Sequence, residues 1–394
     1  MGKDQAVCGL IRGIVMKRPV YIWLLTLVVA VIYIATLAFV RIKNPEHIQY
    51  EDYRRWQVAY LVHKNSKQTF VNTSNDQKHP VALSEGQGYG LQVVSRAAEK
   101  GWASENDFDK LLNYYLAHRD YVGKHHDQLT YLMAWRQSYN KKGQWVDDHN
   151  SATDGDLYIA AALHRAAKVW PPKAPYYHKL EQKIATDILK YEYNPTTHML
   201  TVGDWVTKKS KFYYLLRTSD VMPTVFDHLY ECTNDSRWQT IKNNMLDRLV
   251  ALSKQHQTGL VPDFAWARPR NTKPVGPNTV AGKYDGDYSA NACRVPMMLA
   301  KNNDPRAQKV LNKMMRFFSK QYYITAGYSL TGHRLVKYQS NSFSAPIFYA
   351  VSCNRNEGYD NLFASQKHIF SKPLTEKNYY DATLTTLAAL EGMN

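Results

Sequence analysis

Residues 154–169, DGDLYIAAALHRAAKV, are apolar on nearly every side of a helical wheel. Such a helix has to be wrapped by other elements, because apolar surface left in water costs about 25 cal/mol per Å². Residues 105–117 differ: Phe108, Leu111, Leu112, Tyr115 and Leu116 fall on one face only, at spacings of three and four. The same periodicity predicts helices at 175–191, 222–233, 236–254, 289–302, 305–321, 343–353 and 380–392, with an early one over 50–63. Asp304-Pro305 marks a helix start, a capping Asp followed by Pro in the first turn. Amphipathic helices thus alternate with apolar ones, which predicts an all-α domain of two helical layers. Periodicity alone does not separate a bundle from a barrel. Strand signals are confined to 199–214. Residues 262–287, with Pro262, Pro269, Pro274 and Pro277, read as one long loop, either functional or disordered.

Residues 20–40 are 21 positions without a charge. At about 1.5 Å per helical residue they match the apolar thickness of a bilayer. Ala35-Thr36-Leu37-Ala38 lacks a cleavage-site spacing, so the run reads as an uncleaved signal-anchor in membrane lipid. Lys3, Arg12, Lys17 and Arg18 precede it and place residues 1–19 in the cytoplasm. Arg41 and Lys43 on the far flank weaken that bias. Residues 41–80 read as a stalk leading into a domain over 50–394, outside the cell membrane. Of the four cysteines, Cys232, Cys293 and Cys353 would lie outside, as buried free thiols or with one pair among them.

The net charge is +16, but Lys and Arg are scattered and form no basic run of nucleic-acid type. A polycation such as chitosan would be repelled. Aromatic residues make up 13% of the chain, including 29 Tyr and 9 Trp, a supply of flat faces for sugar rings.

Asp154 and Asp156 stand at the mouth of the buried helix. One of them can cap it, not both. Buried acid is costly unless something uses it. A third acid, Glu85, lies in Ser84-Glu85-Gly86-Gln87-Gly88-Tyr89-Gly90. Cleaving a glycosidic bond needs one protonated carboxyl and a second carboxylate to activate water or attack directly. Glu85 fits the proton donor, with alternating glycines that let backbone and substrate approach. No strand is expected before those glycines and no Gly-Lys-Ser/Thr follows them, so they do not read as a phosphate loop. His125, His126 and Asp127 read as a solvated loop. Without an HExxH or paired CxxC element, no metal and no cofactor are expected. No G-x-S-x-G element is present either.

The segment 84–90 resembles the SEGxxYG element of glycoside hydrolase family 8. ATDGDLYIAAALHRAAKVW, residues 152–170, is similar to that family's signature, departing from it at His164. Arg294-Val295-Pro296 and Tyr379-Tyr380-Asp381-Ala382 resemble two further elements. The likeness covers about residues 50–392. It implies an (α/α)6 barrel and inversion at the anomeric carbon, on substrates such as cellulose, mixed-linkage β-glucan, xylan and chitosan. By motif, Glu85 takes the general-acid role and Asp154 holds the sugar at the point of cleavage; Tyr89 and Asp156 are substrate-binding candidates in the same two elements, with a mainly structural role as the alternative for Asp156. Trp135 resembles a stacking ring, and Arg294 and Tyr380 would contact sugar or hold the catalytic groups. Arg217 joins them as a substrate-binding candidate, and Asp220 either caps the next helix or lines the cleft. Trp205, Tyr213, Tyr214 and Trp266 are candidate stacking rings on loops.

Many members read D-A-x-R-V-P, with that Asp as general base. This chain reads Asn291-Ala292-Cys293-Arg294-Val295-Pro296. An amide cannot take a proton from water. A branch of the family with Asn there draws its base from an acid in the preceding loop, usually Glu. No Glu occurs between Glu231 and Glu357. The loop acids are Asp285, the first choice, then Asp287 and Asp263. The resemblance therefore implies an inverting endo-β-glycanase acting on cellulose-like or mixed-linkage glucan at the outer membrane face. Such a protein could trim an exopolysaccharide beside a polysaccharide synthase. The alternative is a catalytically impaired glycan-binding or assembly protein, since losing the base costs roughly 10²–10⁴ in rate.

Overall fold

The computed structural model describes residues 18–42, 44–123, 125 and 127–393. Residues 1–17 of the expected cytoplasmic tail, with Cys8, and also His126 lie outside them. The chain divides into two units, residues 1–48 and 49–394. In the first, helix α1 (Arg18–Ile42) contains the uncharged run, and its described side chains, 20–36, are exposed. Among the described residues no helix is long and apolar enough to cross a membrane.

The second unit is mostly helical. Its helices are α2 (Pro45–Tyr60, from Gln49 onward), α3 (Ser84–Glu99), α4 (Glu105–Ala117), α5 (Thr153–Val169), α6 (Ala174–Tyr191) and α7 (Pro223–Thr233). They continue with α8 (Arg237–Lys254), α9 (Val295–Leu299), α10 (Pro305–Phe318), α11 (Asn341–Cys353), α12 (Asp360–Lys367) and α13 (Tyr379–Gly392). Helices α3, α5, α7, α9, α11 and α13 each lie against the next, and α13 closes on α3. Outside this ring α4 packs on α3, α6 on α5, α8 on α7, α10 on α9 and α12 on α11. Helix α2 joins α13: Gln49 Nε2 donates to the Ala389 carbonyl and Trp56 Nε1 to Thr383 Oγ1, both at 2.9 Å. The result is the six-plus-six arrangement of an (α/α)6 barrel.

The all-round apolar helix, α5, belongs to the inner ring, as its pattern requires. Ile159, Ala160, Ala162, Leu163 and Ala166 have no exposed surface. The expected stalk ends early. Tyr53, Trp56 and Tyr60 are buried, so the chain from Gln49 onward is part of the barrel. The helix expected over 289–302 shrinks to α9 and a 3-10 turn, Ala292–Arg294. Asp263 accepts the backbone N–H groups of Ser289 (3.0 Å) and Ala292 (2.7 Å), which pins 289–291 outside the helix.

Short strands, most of them missed by the sequence pattern, join the helices at the rim. Val81–Leu83 pairs with Arg136–Tyr139, which pairs with Trp145–Asp148, all antiparallel. The first of these strands runs straight into α3. A strand therefore does precede the glycines of 86–90, contrary to expectation, but the glycines lie inside a helix. Leu215–Arg217, Phe264–Arg268 and Asn271–Pro274 form a second antiparallel sheet that gives order to the long 262–287 loop. The cysteines Cys232, Cys293 and Cys353 are free, but only Cys293 is buried.

The glycines serve helix packing more than substrate access. A Cβ on Gly88 would stand 2.5 Å from Tyr158 Cβ, and one on Gly155 would stand 2.7 Å from the Ser84 carbonyl carbon. These contacts let α3 and α5 cross closely at their first turns. Gly155→Ala should therefore destabilise the fold by about 1–3 kcal/mol, the usual cost of overpacking. A lower urea midpoint would show it; an unchanged midpoint would mean that the two helices slide apart freely.

Candidate active site

The N-terminal ends of the inner helices carry the candidate residues. Glu85 lies in the first turn of α3 and Asp154 and Asp156 in that of α5. Arg294 ends the turn before α9, and Tyr380 lies in the first turn of α13. The cap of α3 is Leu83 and that of α5 is Ala152, neither with a side-chain bond, so none of the three acids is a cap.

Arg294 is fully buried and gathers the site around it. Its Nη1 donates to Glu85 Oε2 at 2.7 Å, Asp154 Oδ2 at 3.3 Å, Tyr158 OH at 3.4 Å and Tyr89 OH at 3.5 Å. Its Nη2 donates to Asn291 Oδ1 at 2.7 Å and Ser219 Oγ at 2.9 Å. The other oxygen of Asp154 pairs with Arg217 Nη2 at 3.0 Å, while Arg217 Nε donates to both oxygens of Asp220 at 2.8 and 3.0 Å. Asp220 is thus a partner of Arg217 and not a helix cap. Tyr158 and Ser219 were not among the expected residues. Tyr158 lies one helical turn after Asp154 and so shares its face, a signal the spacing of four carried.

Burial pushes the Glu85 carboxyl up to about 7; Arg294 opposes this and Asp154 adds to it. Burial also acts to raise Asp154, but Arg217 and Arg294 outweigh it and hold that carboxyl below the usual range. Glu85 and Asp154 both accept from Arg294 Nη1, which holds the two carboxyls side by side. One acid is therefore still substantially protonated near neutrality beside one kept ionised. Two carboxyls with divergent proton affinities, Glu85 being partly open to solvent, can divide proton donation from charge stabilisation.

Asp156 stands apart. It is fully buried, accepts the Met133 N–H at 2.8 Å, and is pushed well above the usual range by burial and by Glu192. A neutral, buried acid tying the strand Gln128–Met133 to α5 has no sugar to hold.

The three base candidates differ sharply. Asp285 is buried, and its oxygens accept the N–H groups of Val280 (2.6 Å), Ala281 (3.1 Å) and Gly282 (2.9 Å). That is a loop-closing carboxylate, not one facing water. Asp263 is also buried; beside its two backbone bonds, its Oδ2 accepts from Asn291 Nδ2 at 3.5 Å. Burial pushes it up to about 6 against those bonds. Asp287 is half-buried, and its carboxyl is raised by burial alone. Its carbonyl accepts the Asp263 N–H at 2.8 Å, which sets it beside the Asp263–Asn291 contact.

Of the candidate rings, Trp135 is 37% exposed and its carbonyl accepts the Ser84 N–H at 3.0 Å, so it borders Glu85. Tyr89 is buried under Arg294 and its hydroxyl bonds Tyr158 OH at 3.0 Å, which makes it part of the floor. Tyr380 OH donates to the Ala290 carbonyl at 2.7 Å, bracing the segment that carries Asn291 and Arg294. Trp205 is exposed but lines a pocket of about 340 Å³ with Asp120, His149 and Asp204. Trp266 packs on the apolar cluster of Val202, Val206, Leu215, Phe264 and Val275, and Tyr213 is buried. Those two rings are packing, not platforms; Tyr214 is half-exposed beside them.

The family described as "Glycosyl hydrolases family 8" matches residues 27–392. The chain is 29% identical over 304 residues to a beta-glucanase of Niallia circulans, covering 74% of this chain and 71% of that protein. It is 26% identical over 365 residues to an endoglucanase of Bacillus sp. (strain KSM-330), covering 84% and 76%. Among solved structures, the apo β-1,3-1,4-glucanase of Paenibacillus sp. X4 superposes with a TM-score of 0.76 at 25% identity, covering 88% of this chain and 92% of that one.

Proposed function

The chain belongs to glycosyl hydrolases family 8 and is a glycoside hydrolase, and we propose that it is an inverting endo-β-glucanase acting on cellulose-like or mixed-linkage glucan. The observation that carries this reading is the Glu85–Arg294–Asp154 cluster. A carboxyl held at about 7 shares the Arg294 Nη1 donor with one that Arg217 and Arg294 hold ionised. Glu85 protonates the leaving oxygen. Asp154 binds the sugar at the cleavage point, and its negative charge favours the positive ring that forms there. Trp135 offers a ring face beside the acid.

Water is activated from the Asn291 side. Asp287 suits that task better than Asp285, because a base needs an oxygen free to reach water. Asp287→Asn should lower kcat by about 10²–10⁴, with the fold unchanged. Asp285→Asn should loosen its loop and lower stability more than kcat. Reducing-end release from mixed-linkage glucan, with the anomer of fresh product read by NMR, measures both. Wild-type turnover in Asp287→Asn would remove the base assignment, and failure to release reducing ends from any β-glucan would remove the function.

We further propose that residues 20–40 anchor the enzyme in the cell membrane, with residues 49–394 on the outer face, placed to trim an exopolysaccharide beside its synthase. The support is the sequence: 21 residues without charge, preceded by Lys3, Arg12, Lys17 and Arg18. Resistance to alkaline carbonate extraction, together with protease accessibility of the barrel from outside, is the expected result. Release by carbonate would remove the anchor.

A further inference from the structure

We propose that His178, Glu181 and Cys232 form a Zn²⁺ site that staples α6 to α7, away from the sugar site. The candidate ligand atoms of these three residues all lie within 4.8 Å of one another. His178 Nδ1 stands 3.0 Å from Glu181 Oε2, one helical turn along α6. Cys232 comes from α7, 54 residues on. The expectation of no metal rested on motifs within one segment, whereas this constellation exists only once two helices pack. Gln182 Nε2 donates to the Cys232 carbonyl at 3.0 Å and fixes their register.

Charge supplies the second argument. Glu181 is completely buried. Among the described residues its ion-pair partners are two histidines, His164 and His178, with no Lys or Arg. A buried carboxylate without a permanent positive partner is costly, and a divalent cation would supply one. The oxygen turned away from the site, Oε1, pairs with His164 Nδ1 at 3.1 Å. That bond orients the carboxylate as an outer partner of a metal ligand does. His164 is the residue at which the chain departs from the family signature. Its ring stacks on His228 with centroids 3.9 Å apart and 7° between planes, so its position is set by packing.

The ligand set selects the metal. One thiolate, one imidazole and one carboxylate suit Zn²⁺, while Ca²⁺ and Mg²⁺ prefer oxygen alone. Bonds of about 2.0–2.3 Å put tetrahedral ligands roughly 3.3–3.8 Å apart; the His178–Glu181 pair is already that close, and Cys232 needs to move in by at most about an ångström. The fourth position falls to water. The His178 side chain is 47% exposed and gives the ion a path from solvent. Binding releases the Cys232 proton to solvent. His164 lies ten residues beyond Asp154 on α5, roughly 15 Å along the axis, so the role is structural.

The test uses the full chain in mild detergent, stripped with chelator. One Zn²⁺ per chain should raise Tm by about 3 °C or more at a hundredfold excess over Kd. Co²⁺ in its place should give a thiolate-to-cobalt charge-transfer band. Cys232→Ser should abolish the band and His178→Gln should weaken binding at least about tenfold. Glucan hydrolysis by Cys232→Ser should match wild type below the unfolding range. A wild-type Tm indifferent to Zn²⁺, or a cobalt band that survives in Cys232→Ser, would overturn the site.

Discussion

Glu85→Gln is expected to cut kcat on β-glucan by about 10²–10⁴ and to abolish the alkaline limb of the pH profile. The substitution keeps the shape of the side chain and leaves an oxygen to accept from Arg294 Nη1, now 2.7 Å from Glu85 Oε2. What it removes is the acidic proton. Glu85 is only partly buried and caps nothing, so the fold should hold and Tm should change little. The pH argument has a definite sign. A general acid works while protonated, and burial holds the Glu85 carboxyl at about 7, with Arg294 limiting the rise. The wild-type kcat/KM should therefore fall as pH rises through about 7, and the variant's residual activity should be flat there. Steady-state kinetics from pH 5 to 9 decide the matter. Retention of the alkaline limb in Glu85→Gln would assign that limb to another group and end the acid role of Glu85.

The parts of this arrangement visible in the sequence share a physical property. Periodic helices such as α4 and α8 reveal themselves because one stripe of side chains must be dry, and α5 because every side must be. Helix α12 escaped because eight residues make little more than two turns of pattern. The strand Val81–Leu83 escaped because three residues carry no alternation and its partner, Arg136–Tyr139, lies far along the chain. The site follows the same division. Glu85, Asp154 and Arg294 sit in contiguous motifs and are found together in space. Asp156 stayed open between sugar-holding and structural roles because an acid two residues from Asp154 reads alike on paper. Only the fold shows it turned toward the Met133 N–H and Glu192. Asp285 misled for a related reason. Sequence counts carboxylates, but which of them are saturated by backbone N–H groups depends on how the loop 280–282 closes.

Arg294→Met should do more damage than any other single change in the site, and in two separable ways. A buried guanidinium with two carboxylate partners cannot be removed quietly. Asp154 would keep Arg217 but lose the 3.3 Å contact on its other oxygen, and Ser219 and Asn291 would each lose a donor. Leaving a buried charge half-compensated costs about 3–5 kcal/mol. A drop of that size in urea-unfolding stability is expected although Met fills much of the space. The second effect is electrostatic and a packing role alone would not produce it. Arg294 lowers the proton affinity of both acids. Without it Glu85 binds its proton more tightly, so the alkaline limb moves above about 7 while kcat falls. Asp154, freed of one of its two cations, also rises, and it then loses its charge at the lower end of the profile. Arg294→Lys separates the two effects, restoring a positive charge without the planar fork that reaches Glu85, Asn291 and Ser219 together. It should return the alkaline limb toward its wild-type position while leaving kcat low. If both variants are merely less stable, with an unmoved pH profile, Arg294 is a strut and not the group that sets the two acids apart.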